Sequence, residues 1–210
     1  MSNNELTNPE LGGIEVHGMT RSSFMLRGAL AAGAVYGTGA VAPFVSQAFA
    51  ATGGGDVDIL NFALTLEYLE TDFYKVKAKQ VGLSGEAKTY AKAFGDDEAA
   101  HVAAITAAIK QLGGKPVQKP TFVFPATSQS SFLKLASVVE NLGVGAYNGA
   151  APSIKSKQVL AAAGGIVQIE ARHAAAINLL LDKTPTPNAG FDKPLSKKQV
   201  LAAAGPLIKM

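Results

Sequence analysis

The sequence predicts an all-α protein built from two helical hairpins, an extended connector between them, and one short helix at the end. Three observations carry this. Alanine is abundant while β-branched runs are scarce, which favours helices over sheets. Apolar residues recur at helical spacing through stretches bounded by Gly and Pro. One phrase, Glu-Ala-x-His-x-Ala-Ala-Ile, is used twice, from Glu98 to Ile105 and from Glu170 to Ile177.

Taken in order, residues 1 to about 20 are polar, with Asn3, Asn4, Asn8, Pro9, Gly12 and Gly13, and read as disordered. Arg21 and Arg27 then flank Ser22-Ser23-Phe24-Met25-Leu26, and Gly28 to Gly55 carries no charge. The stretch ends in Ala48-Phe49-Ala50, a small-x-small cleavage pattern. Residues 1–50 therefore read as an export signal. Its long basic region and Gly-diluted apolar region resemble a twin-arginine leader, although Ser22 stands where the second Arg would be. The alternative is an uncleaved leader anchoring the protein in a membrane, since about 20 apolar residues span a bilayer. Cleavage after Ala50 would leave a periplasmic or extracellular protein with no stable membrane span.

Residues 51–184 form the main domain. After Gly53-Gly54-Gly55, Asp56 or Asp58 can cap a helix running to about Gln80, with Ile59, Phe62, Leu66, Leu69 and Phe73 along its apolar stripe. Gly82 stops it, and Ser84 begins a second helix that Gly113-Gly114 ends. Lys115 to Ser128 contains Pro116, Pro120 and Pro125 and cannot be helical. Fourteen extended residues reach roughly 46 Å, the length of a bundle. Two more helices follow, about Gln129 to Ala151 and Lys155 to Asp182, separated by Pro152-Ser153. Residues 185–210 make a Pro-containing tail with a short helix from about Ser196 to Ala204. Its Lys198 to Gly205 repeats Lys157 to Gly164 letter for letter, which reads as a shared helix start.

Composition excludes several functions. The chain has no Cys and no Trp, so disulfides, zinc knuckles and iron-sulfur or rubredoxin modules are unavailable. A net charge of +3 with no arginine-rich stripe argues against a nucleic-acid partner.

Each hairpin carries a second shared phrase on its first helix. Glu67 leads through Leu69 to Tyr74, and Glu140 leads through Leu142 to Tyr147. Both read Glu-x-Leu-x-x-x-x-Tyr, and the next matched Glu lies 31 residues on in the first half (67 to 98) and 30 in the second (140 to 170). The domain thus reads as a duplicated hairpin, with matched positions at one level of the bundle. Between Ala99 and Leu181 the only acidic residues are Glu140 and Glu170, and after residue 50 the only histidines are His101 and His173. A Glu and a His three residues apart share one helix face, so each pair can reach one metal ion. Four anionic carboxylates, two of them able to bridge, offset the repulsion between two divalent ions, and oxygen-rich ligands with one His per ion suit Fe or Mn better than a closed tetrahedral zinc site.

At these residues the chain resembles the ferritin-like superfamily, over about 56 to 182. Leu60 to Tyr74 and the tail from Pro187 to Leu207 look like the branch that includes desiccation-related proteins. The resemblance implies a four-helix bundle with a long crossover between helices two and three. It also implies a centre of two Fe or two Mn ions, Fe favoured. Glu67, Glu98 and His101 would serve one ion and Glu140, Glu170 and His173 the other, with Glu98 and Glu170 bridging. Glu70 would lie outside this set as a supporting or labile ligand, its counterpart being Gly143. Tyr74 and Tyr147 would orient ligand carboxylates. Met210 is the only Met after residue 50, so a methionine haem ligand within the bundle is missing, and no haem, flavin or other organic cofactor is expected. Members of the superfamily store or oxidise iron, dismutate peroxide, or hydroxylate substrates. An exported stress-protective protein using dioxygen or peroxide, of ferroxidase or catalase/peroxidase type, is the first reading. A non-catalytic protein that shields surfaces during desiccation is the second, and a hydroxylase the third. A homo-oligomer is compatible with all of them.

Overall fold

The computed structural model describes residues 55–187 and 190–209, together with two residue pairs nearer the amino terminus; the export-signal reading of residues 1–50 otherwise lies outside the described residues. The chain divides into two units, Met1–Phe44 and Val45–Met210. In the first, β1 (Glu15–Val16) pairs antiparallel with β2 (Met19–Thr20), Glu15 opposite Thr20 and Val16 opposite Met19. These four residues depart from the disorder expected of the segment. An isolated ladder of this length is marginal by itself.

The second unit is helical. α1 (Gly55–Asp72) continues through a π-helical turn (Phe73–Lys77) into α2 (Ala78–Val81). The wider π turn lets two consecutive residues, Phe73 and Tyr74, both face the interior. Gly82, at φ 72°, ends the run in the left-handed region where glycine carries no Cβ penalty. α3 (Gly85–Gln111) returns antiparallel. The second hairpin pairs α4 (Gln129–Ala150) with α5 (Lys157–Leu180) across a short 3-10 turn at Ala151–Ser153. α1 also packs on α4 and α3 on α5, closing a four-helix bundle.

The connector runs beside α1. Asn61 holds its start, donating to the Lys115 carbonyl at 3.1 Å and accepting the Val117 N–H at 2.7 Å. Asp72 then pairs with Lys119 Nζ at 2.8 Å, and the Phe124 ring meets Phe73 edge-on at 5.2 Å. From Asn61 to Phe73 the helix rises about 18 Å. The connector is thus the long crossover, and it lets α4 start at the end of the bundle opposite to where α3 finishes.

Two helix starts differ from expectation for one reason. Asp56 lies inside the first turn of α1 and does not cap it; its buried carboxylate accepts the N–H groups of Lys155 and Ser156, both at 2.9 Å. Those amides are thereby committed, and α5 begins at Lys157 with Ser156 as its cap. At the far end α5 stops at Leu180, and Asp182 takes a positive φ of 54°.

The tail is a structural part of this unit. α6 (Lys197–Ala204), capped by a reciprocal Ser196–Gln199 pair, buries Val200 and Ala204 against Leu66, Leu69, Val139, Leu142 and Ala146. Beyond it β4 (Ile208–Lys209) pairs antiparallel with β3 (Thr121–Phe122) of the crossover. A second apolar cluster surrounds Phe73, Phe94 and Phe132, with Phe73 and Phe132 stacked at 4.3 Å.

Candidate metal centre

Four helices each deliver one fully buried glutamate to the bundle interior: Glu67 from α1, Glu98 from α3, Glu140 from α4 and Glu170 from α5. Burying four carboxylates is costly unless each is paired. The one-turn spacing on α3 and α5 adds His101 and His173 on the same faces, both buried.

The six side chains fall into two overlapping groups. Glu67, Glu98, His101 and Glu170 each place one donor atom within 4.8 Å of all the others, and so do Glu98, Glu140, Glu170 and His173. Glu98 and Glu170 belong to both. His101 Nδ1 lies 2.9 Å from Glu98 Oε2, 3.1 Å from Glu67 Oε2 and 3.3 Å from Glu170 Oε1. His173 Nδ1 lies 2.8 Å from Glu98 Oε1 and 3.5 Å from Glu140 Oε2. Glu98 therefore turns one oxygen to each imidazole and straddles the two groups.

The tyrosines cross between the halves. The Tyr74 hydroxyl donates to Glu140 Oε1, and the Tyr147 hydroxyl donates to Glu67 Oε1. Each half thus holds a carboxylate of the other, which also requires α1 and α4 to run antiparallel. Glu70 is buried beside the cluster and belongs to neither group. Gly143 makes room for it: a Cβ there would stand 2.8 Å from Glu170 Oε2 and 3.0 Å from Glu70 Oε1.

One residue escaped the sequence reading. Asp97 Oδ2 accepts from His173 Nε2 at 3.1 Å, on the ring edge away from the cluster. Phe94 stacks on the same ring at 3.9 Å. The available signal was an acid directly before the Glu of the Glu-x-x-His phrase, within the run Asp96-Asp97-Glu98, which resembles an ordinary wet helix face.

The electrostatics follow from burial and crowding. Burial raises the Glu67 carboxyl to about 7 despite the imidazole of His101 beside it. Glu70 is pushed well above the usual range by burial and then by Glu170 and Glu98, and Glu170 by burial and then by Glu98, against the pull of His101. Glu140 is raised by burial, against the pull of His173. Glu98 is the exception: burial would lift it, but the two imidazoles bring it down to about 2. Burial opposes charge on both histidines. Carboxylates nonetheless push His101 well above its ordinary value, Glu67 foremost, and raise His173 to about 12, Asp97 foremost. Both tyrosine hydroxyls stay protonated, raised first by burial and next by Glu140 for Tyr74 and Glu67 for Tyr147.

Even so, hydrogen bonds do not satisfy the cluster. Glu98 Oε1, Glu140 Oε2, both oxygens of Glu170 and His173 Nδ1 are buried and make no well-aligned hydrogen bond, only the close carboxylate–imidazole contacts. All of these atoms belong to residues of the group formed by Glu98, Glu140, Glu170 and His173. The donor set fits a pair of divalent cations: four carboxylates, two placed to bridge, and one imidazole on each side.

No curated protein matches the chain. A family model of the ferritin-like domain matches residues 55–183, covering all four bundle helices and the whole carboxylate–histidine cluster. The chain belongs to the ferritin-like domain family.

Proposed function

We propose that the protein is an exported dinuclear metal protein that reacts with dioxygen or peroxide and protects the cell envelope under oxidative or drying stress. The supporting observation is the convergence of donor atoms from Glu98, Glu140, Glu170 and His173, all within 4.8 Å of one another in a buried interior and without well-aligned hydrogen bonds to satisfy them. Such a cluster is costly to fold unless cations occupy it. Glu67, Glu98 and His101 would hold one ion and Glu140, Glu170 and His173 the other, Glu98 and Glu170 being shared. Fe is favoured over Mn, and no haem or flavin takes part. When bound, the metal pair supplies electrons to, or accepts them from, the oxygen substrate.

The chain's own residues prepare that chemistry. Tyr74 and Tyr147 fix Glu140 and Glu67 by hydrogen bonds, setting which oxygen of each carboxylate faces inward. Glu70, its carboxyl pushed well above the usual range by burial and by Glu170, places a further carboxyl group beside Glu170. The surrounding Phe and Leu side chains keep bulk water from the carboxylates. Among the described residues no helix is long and apolar enough to cross a membrane. Export therefore rests on the leader-like sequence of residues 1–50.

Metal analysis tests the reading directly. About two Fe or Mn ions per chain are expected after loading, with loss in Glu98→Ala and Glu170→Ala, followed by ferrous-oxidation and peroxide-consumption assays. A folded protein that binds neither metal overturns the proposal. If that metal-free protein still protected other proteins during drying, the non-catalytic role would replace it.

A further inference from the structure

The two halves of the cluster differ at the residue just before each bridging glutamate. In the first half that residue is Asp97, and in the second it is Ile169. The consequence appears on the histidines. His173 turns Nδ1 toward Glu98 and Glu140 and gives Nε2 to Asp97 at 3.1 Å, while the Phe94 ring lies flat on it at 3.9 Å. Its tautomer and its plane are both fixed. His101 turns Nδ1 toward Glu67, Glu98 and Glu170. Among the described residues no side chain hydrogen-bonds its Nε2, and the matched position offers the hydrocarbon of Ile169.

A carboxylate on the far nitrogen makes an imidazole a stronger and better-oriented donor, and removing such a partner typically costs 10–100-fold in metal affinity. We infer that the two metal positions are inequivalent and fill in order: the one framed by Glu98, Glu140, Glu170 and His173 first, and the one framed by Glu67, Glu98, His101 and Glu170 second. Asp97 is the positioning residue that sets this order. The inference rests on the reading of the cluster as a dinuclear metal centre. The other asymmetry, Glu70 against Gly143, does not choose between the positions, because Glu70 lies beside Glu170, which both share.

The test is a stepwise addition of Mn(II) to the metal-free full chain, followed by electron paramagnetic resonance. Below one equivalent the spectrum should be that of isolated Mn(II), and the second equivalent should convert it to an exchange-coupled signal. The two dissociation constants should differ by about 10–100-fold. Asp97→Ala should weaken the first step by about that factor, so that coupled signal already grows in before one equivalent is reached. Asp97→Asn, which keeps an acceptor but not the charge, should fall between. The Asp97 side chain is nearly half exposed, so both variants should fold, which an unchanged circular-dichroism spectrum checks. His101→Ala should still bind one ion at first-step affinity, and His173→Ala should lose that step. Two ions bound with equal affinity, or a first step indifferent to Asp97→Ala, overturn the ordering alone. A folded chain that binds neither Mn(II) nor, under anaerobic conditions, Fe(II) overturns the metal-centre reading and the ordering with it.

Discussion

Tyr147 donates its hydroxyl proton to Glu67 across the bundle, and Tyr147→Phe would remove that bond while keeping the ring. Glu67 would then keep its contact with His101 but lose the donor that aims its second oxygen. The expected result is metal binding weaker by about tenfold or more, read by calorimetric titration. A cost of about 1–3 kcal/mol in metal-free stability should accompany it, from the carboxylate oxygen left unpaired. Tyr74→Phe should act in the same way through Glu140. These tyrosines were legible in the sequence because each stands two helical turns after a glutamate, in both halves. What spacing cannot reveal is the crossing, since it depends on how two hairpins pack and not on either alone. Asp97 was illegible for the same reason. Its partner His173 lies 76 residues away, and nothing local separates Asp97 from its exposed neighbour Asp96, which pairs with Lys75 and Lys92.

The helices themselves were largely readable from their punctuation, as the stop at Gly82 shows, whereas the start of α5 was not, since Ser156, inside the helix expected from Lys155, caps one that begins at Lys157. The repeated Lys-Gln-Val-Leu-Ala-Ala-Ala-Gly phrase finds its explanation here: each copy follows a capping serine and buries its valine completely, Val159 in α5 and Val200 in α6. Gly145 and Gly149 of α4 could not be read, because their partner comes from the far end of the chain. Leu195 donates its N–H to the Gly145 carbonyl at 2.8 Å, and its backbone lies directly on Gly149. A Cβ at Gly149 would overlap the Leu195 carbonyl oxygen, so a methyl there must displace backbone. Gly149→Ala should therefore cost about 1–3 kcal/mol and loosen the tail, seen as a lower melting temperature and faster proteolysis after residue 185. Gly164 provides the contrast within the same bundle. It is helical with open space where its Cβ would go, so Gly164→Ala should stabilise by about 0.5–1 kcal/mol. Equal effects at the two positions would show that α4 does not depend on the seated tail.

At the scale of the whole molecule, the cluster couples folding to both protons and metal. Without metal, the raised carboxyl of Glu67 holds a proton up to about pH 7 in the folded chain but only to about 4.5 when unfolded. Its contribution is complete below pH 4.5 and is lost as pH rises through 7. Glu70, Glu140 and Glu170 are shifted in the same direction. The histidines add to this trend: their contribution is full below pH 6.5 and declines above it, toward about pH 12 for His173. Glu98 alone works the other way, contributing above pH 4.5 and losing its contribution as pH falls toward 2. The metal-free protein should therefore be most stable near pH 5 and lose stability steadily toward pH 8. Metal ions compete with those same protons, because carboxylates and imidazoles ligate only when deprotonated at the donor atom. Affinity should rise with pH, and bound metal stabilises the fold by about 2.7 kcal/mol when its concentration is a hundred times the dissociation constant. The melting temperatures of metal-loaded and metal-free protein should thus move apart between pH 5 and pH 8, the first holding while the second falls. Differential scanning calorimetry across that range checks it. A gap that stays constant or narrows would mean that the buried protons are not the ones metal displaces, and that cation and proton occupy different parts of the bundle.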